Sequence, residues 1–123
     1  MDSTTYISFY LRDGTIHVYA EAVRFLGQPK FIRFLLNKDG SSMLMESYHR
    51  KEFQSFRVPQ EALAHRKMRV FSRSFCRLLA YTLKWNVDKS YRVPGQYVAS
   101  KRVVVFDMTK AIAIGSETME AIK

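Results

Sequence analysis

The 123 residues, 47% hydrophobic and 14% aromatic with only 5 Gly and 3 Pro, suffice for one domain with its own core and exclude a disordered or low-complexity chain. A single cysteine, Cys76, excludes an internal disulfide, and no run approaches the ~20 apolar residues that span a bilayer. Twenty Lys and Arg against 11 Asp and Glu give +9, so the charge favours a polyanionic partner.

In chain order, Met1-Asp2-Ser3-Thr4-Thr5 has neither the basic nor the apolar part of a leader, and the expected location is cytoplasmic with no membrane contact. Residues 6–11 are rich in strand formers, and the Asp13-Gly14 turn signal leads into Ile16-His17-Val18, which predicts a hairpin. Residues 20–26 predict a short helix that Gly27 stops and Pro29 prevents from resuming, so Gly27 is expected to be left-handed. Residues 31–36 turn back at Asn37-Lys38-Asp39-Gly40 into Met43-Leu44-Met45, a second hairpin. Residues 52–58 alternate loosely and end at Pro59, which predicts a strand followed by a linker over 60–65.

Met68-Arg69-Val70-Phe71 then reads as a strand and Ser72 as a helix N-cap. In the helix that follows, Phe75, Leu78, Leu79 and Leu83 form an apolar stripe opposite Arg73, Arg77 and Lys84. Cys76 lies among these apolar neighbours and reads as a buried spectator. Tyr91-Arg92-Val93 and Val103-Val104-Val105-Phe106 predict strands around Pro94-Gly95, with 111–114 as a candidate last strand. Strand, helix, strand, strand thus occurs twice. The expectation is a single domain over 1–123 of α+β class: a small mixed sheet or swapped-hairpin-like barrel, two short-to-medium helices, and pseudo-repeats over 14–45 and 68–106 related by a pseudo-two-fold axis.

Gly14-x-Ile16-x-Val18, Glu21, Arg24, Leu26-Gly27, the apolar run 32–36 and Asp39-Gly40 together resemble the AbrB/MazE-type swapped-hairpin DNA-binding domain. Tyr19, Thr15 and Ala20 stand where that family has proline, arginine and lysine, while Arg24 matches a basic position. The resemblance covers about a quarter of the chain and implies DNA binding. Two such units fused in one chain would look like the MraZ arrangement.

Charge is concentrated in the second half. Residues 1–60 hold 8 basic and 6 acidic side chains, residues 61–123 hold 12 and 5, and 62–87 hold no carboxylate. Arg66, Lys67 and Arg69 before the second helix, Arg73, Arg77 and Lys84 along it, and Arg24 in the first half form the candidate nucleic-acid-binding set. In a continuous helix Arg73, Arg77 and Lys84 fall in one row, and Ser72-Arg73-Ser74 opens it with free amides suited to phosphate. A face that only keeps the protein in solution is the plain alternative. Tyr81 and Trp85, one turn apart, either stack on unpaired bases or, for Trp85, cap the core.

Catalytic patterns are lacking. His17, His49 and His65 show no metal-ligand spacing, the carboxylates are scattered, and there is neither a Gly-rich phosphate loop nor a nucleophile elbow. No cofactor or metal is expected, and His17 reads as a structural strand residue. The expected function is a non-enzymatic duplex-DNA-binding protein such as a transcriptional regulator, with a homodimer left open. The alternative is a protein-interaction module, antitoxin-like or a mobile-element inhibitor subunit, that uses Met43-Leu44-Met45 and residues 31–34 as its interface.

Overall fold

The computed structural model describes residues 3–52, 55–59, 61 and 64–114. Its nine strands are β1 (Thr4–Tyr10), β2 (Thr15–Tyr19), β3 (Phe31–Leu36), β4 (Ser42–Tyr48), β5 (Ser55–Arg57), β6 (Lys67–Phe71), β7 (Ser90–Val98), β8 (Val103–Asp107) and β9 (Ile112–Ile114). Two helices, α1 (Ala20–Phe25) and α2 (Arg73–Leu83), follow β2 and β6. The strands join in the order β5-β3-β4-β8-β7-β1-β2-β6, with β9 added beside β7. Every ladder between described residues is antiparallel, and the sheet curls into a nearly closed barrel.

This corrects the expected α+β class, whether as a mixed sheet or as a swapped-hairpin-like barrel with two helices. Only α2 exceeds two turns. Helix α1 ends after six residues because Gly27, at φ +87°, turns its amide back to the Arg24 carbonyl. The hairpins do not stand apart either: β4 pairs with β8 and β1 with β7, which merges the strands of both halves into one surface.

Period-two alternation decides which side chains fill the interior. Ile7 and Phe9, Ile16 and Val18, Ile32 and Phe34, Met43 and Met45, Met68 and Val70, Val93, Val104 and Phe106 all point inward and are buried. Helix α2 lies across one end of the barrel, where Phe75, Cys76, Leu79 and Ala80 cover the core. The β1–β2 turn packs on its start, with Gly14 against the Arg73 backbone, and the β3–β4 turn packs on its end, with Gly40 against Thr82 and Leu83. Helix α1 closes the other end, where Phe25 stacks on Tyr97 at 4.8 Å.

The pairing diagram is unchanged when β1, β2, β3 and β4 are exchanged with β5, β6, β7 and β8, apart from β9, which has no counterpart beside β3, and the β5/β6 seam, where the described residues form no ladder. Registers transfer as well. The exchange carries Ile16 and Val18 to Met68 and Val70, Ile32 and Phe34 to Val93 and Gly95, and Met43 and Met45 to Val104 and Phe106, and each paired set lands on a paired set.

Gly95 faces Phe106 across the β7–β8 ladder, and a Cβ at this position would sit 2.5 Å from that ring. Gly95→Ala is therefore expected to cost about 1–3 kcal/mol in denaturant unfolding, and Phe106→Leu in the same chain should recover part of the loss. A Cβ added at Gly27 would meet no atom beyond its chain neighbours within 4 Å, so Gly27→Ala meets only backbone strain and should cost about 1 kcal/mol. That loss should not depend on any neighbouring side chain.

Candidate nucleic-acid interface

Apart from Thr5, the buried inward positions are apolar, so the outward ones carry whatever the protein presents to partners. On β7, β1, β2 and β6 the outward residues are Ser90, Arg92, Pro94 and Gln96; Thr4, Tyr6, Ser8 and Tyr10; Thr15, His17 and Tyr19; and Lys67, Arg69 and Phe71. None is a carboxylate. The opposite half of the barrel differs, presenting Glu46 and Asp107 among Leu35, Leu44 and Val105.

The registers arrange these residues in rows. Arg92, Ser8, His17 and Arg69 lie side by side across four strands, and Ser90, Tyr10, Thr15 and Phe71 form the next row. Tyr6 and Tyr19 meet at 5.9 Å, with the Lys67 ammonium 5.6 Å from the Tyr19 ring and the Arg92 guanidinium 6.0 Å from Tyr6. Tyr10 and His17 meet at 4.7 Å. Lys67 and Arg92 thus each sit beside an aromatic face, whereas Arg69 lies opposite His17. Among the described residues no ion pair engages Arg66, Lys67, Arg69 or Arg92, whereas Arg33 is paired with Glu46 and Arg50 with Glu52.

The residues selected from the sequence fall into two groups. Arg24, Arg66 and Lys67 line one groove of about 430 Å³ with Tyr19 and Glu21, and Arg69 continues from it along β6. The groove is fixed locally because the Ala20 amide donates to the Arg66 carbonyl at 2.8 Å. Arg73 begins α2 with its guanidinium 5.9 Å from the Phe71 ring, which extends the same edge. Arg77 faces a different pocket with Leu11, Arg12, Val87 and Asp88. Lys84 lies beyond the helix in the left-handed conformation, at φ 57°, so the expected row of Arg73, Arg77 and Lys84 does not form. Trp85 stacks on Tyr91 at 4.5 Å and tilts on Phe9, which makes it a core cap, while Tyr81 stands alone at 85% exposure.

Two further expectations change. Ile32, Phe34, Met43 and Met45 are fully buried by the alternation, so of the apolar interface drawn from 31–34 and 43–45 only Phe31, Arg33 and Leu44 remain at the surface. Sequence reasoning also passed over Tyr6, Tyr10, Tyr19 and Arg92 and treated His17 as structural. The available signal was parity: Tyr6-x-Ser8-x-Tyr10, His17-x-Tyr19 and Lys67-x-Arg69-x-Phe71 are the outward phases of strands whose inward phases are apolar.

Cys76 is buried, and that burial pushes its thiol up to about 11, which removes it as a nucleophile. Among the described residues no group of three His, Cys, Asp or Glu could hold a metal ion, and no helix is long and apolar enough to cross a membrane. No protein-family model, curated protein or solved structure matches the chain. Nothing in these comparisons identifies an AbrB/MazE-type domain.

His17 is held below its ordinary pKa of 6.5, first by desolvation and then by Lys67 and Arg69, with Asp13 opposing. The unfolded chain therefore takes up this proton first as pH falls, and folding stability declines from about pH 6.5 downward until the folded-state pKa is passed. Thermal melts between about pH 8 and pH 5.5 should show a smaller fall for His17→Gln than for the unaltered protein. An equal fall in both proteins would assign the decline to other groups.

Proposed function

We propose that the protein is a non-enzymatic nucleic-acid-binding protein that applies the outer face of β7, β1, β2 and β6, edged by Arg24 and Arg66, to phosphate backbones. The observation that carries this reading is the absence of any carboxylate from the outward positions of four adjacent strands that present Lys67, Arg69 and Arg92. Such a surface gains affinity by releasing counterions and carries little sequence information by itself. Among the described residues α1 is only six residues long, and on the exposed side of α2 Arg77 faces a separate pocket with Asp88, away from the cations of the strands. The strands are therefore the contact element.

A second reading, a protein-interaction module, now rests on the outward row of Leu35, Leu44 and Val105, which lie adjacent across β3, β4 and β8. Leu44→Lys would break a complex formed there and leave nucleic-acid binding intact.

Replacing Lys67 and Arg69 together with Gln should weaken binding to every sequence alike and lower the slope of log K against log salt by roughly 0.7–0.9 per lost phosphate contact. Stability should change by no more than about 0.5 kcal/mol, because both side chains are exposed. Lys38, at the β3–β4 turn beside Asp39, is the control and should have little effect. Titration by fluorescence anisotropy across a salt series measures both quantities. An unchanged slope, or no binding at low salt, overturns the proposal.

A further inference from the structure

We infer that the same face binds unpaired nucleic acid by stacking bases on two aromatic stations, Tyr6–Tyr19 and Tyr10–His17. This inference rests on the nucleic-acid-binding reading and adds the class of strand.

Tyr6 and Tyr10 lie four residues apart on β1, so the stations stand roughly 13 Å apart along the strand. Each is a cross-strand pair, with rings at 5.9 Å in one and 4.7 Å in the other. Ser8 lies between them at 2% exposure, covered by the side chains around it: Tyr6 and Tyr10 along the strand, Arg92 and His17 across it. Tyr6 itself is 38% exposed. Both stations are flanked by cations, Arg92 on one side and Lys67 and Arg69 on the other, which is the spacing of a basic track with aromatic steps.

Arg92 Nε and His17 Nδ1, on either side of Ser8, are buried without hydrogen-bond partners among the described residues. An orphaned polar atom is costly, so a ligand that parts the rings and supplies a phosphate or base oxygen would gain at this point in particular. A duplex offers phosphates but keeps its base faces stacked internally. An unpaired strand offers both, and the tyrosines therefore discriminate between the two where the cations do not.

The test titrates fluorescein-labelled oligodeoxythymidine, the oligouridine of equal length, and a mixed-sequence duplex against the unaltered protein, Tyr6→Leu/Tyr19→Leu and Tyr6→Phe/Tyr19→Phe. The Leu pair should weaken binding of the single strands about five- to 150-fold per base lost, leaving duplex binding and the salt slope unchanged, and the Phe pair should restore it. Unequal effects on oligothymidine and oligouridine tell whether the strand bound is DNA or RNA, and either result supports stacking. Should the Leu pair fail to fold, photo-cross-linking of an iodouracil strand to the unaltered protein replaces it, with Tyr6, Tyr10 or Tyr19 as the expected attachment sites. Binding of duplex as tight as single strand, with cross-links elsewhere or the Leu pair without effect, overturns the stacking inference and leaves the phosphate reading standing. No binding of either form at low salt overturns both.

Discussion

Phe75 is the contact on which the barrel depends. It is fully buried, stacks on Phe34 of β3 at 5.6 Å with the rings 12° from parallel, and Phe34 in turn tilts against Phe56 of β5 at 5.5 Å. Helix α2 leaves β6 through Ser72, whose side chain caps it by accepting from the Phe75 amide. One aromatic chain therefore links β6, by way of its helix, to β3 and β5 at the seam where the described residues show no ladder between β5 and β6. A buried phenylalanine contributes roughly 1.5–3 kcal/mol through the area it removes from water, and each aromatic pair adds about 0.5–1.5 kcal/mol. Side chains do at the seam what backbone hydrogen bonds do elsewhere in the barrel.

Once the inward phase of each strand is committed to that core, the outward phase is free of packing demands. The two sides of the barrel use this freedom differently. On β3 and β4, Arg33 is neutralised by Glu46 and lies 4.1 Å from the Tyr48 ring. On β2 and β6 the corresponding cations have no carboxylate opposite them: Arg69 faces His17 and Lys67 faces Tyr19. Like charges gathered on one surface repel, and an arriving polyanion relieves that repulsion. The unpaired cations of this surface are what the proposed polyanion would meet.

Local features were legible in the sequence, and spatial ones were not. The turns at Asp13-Gly14 and Asp39-Gly40, the left-handed Gly27, the Ser72 cap and the buried Cys76 all follow from chemistry confined to a few residues. The joining of β4 to β8 and of β1 to β7 depends on pairings between residues as far apart as Thr4 and Gln96, for which no local signal exists. The candidate face failed to appear for the same reason, since its rows draw on four strands spread from Thr4 to Gln96. Lys84 misled because helical periodicity was carried one residue past the point where the chain leaves the helix. The apolar runs 31–36 and 43–45 misled differently: a continuous run hides its parity, and only the barrel's curvature shows which residues face in.

Shape bears on the choice of strand as much as chemistry does. Four adjacent strands make a surface roughly 15 Å wide, and on the outside of a small barrel that surface is convex. Duplex DNA is stiff over about 50 nm, so it meets a convex face along a narrow line and reaches few cations at once unless it bends at a cost. An unpaired strand bends freely across the rows. It can place phosphates beside Arg92 and Arg69 while its bases lie on the rings between them. Curvature and the tyrosines therefore favour the same ligand, although one is a property of the backbone and the other of the side chains, and neither depends on a helix reaching into a groove.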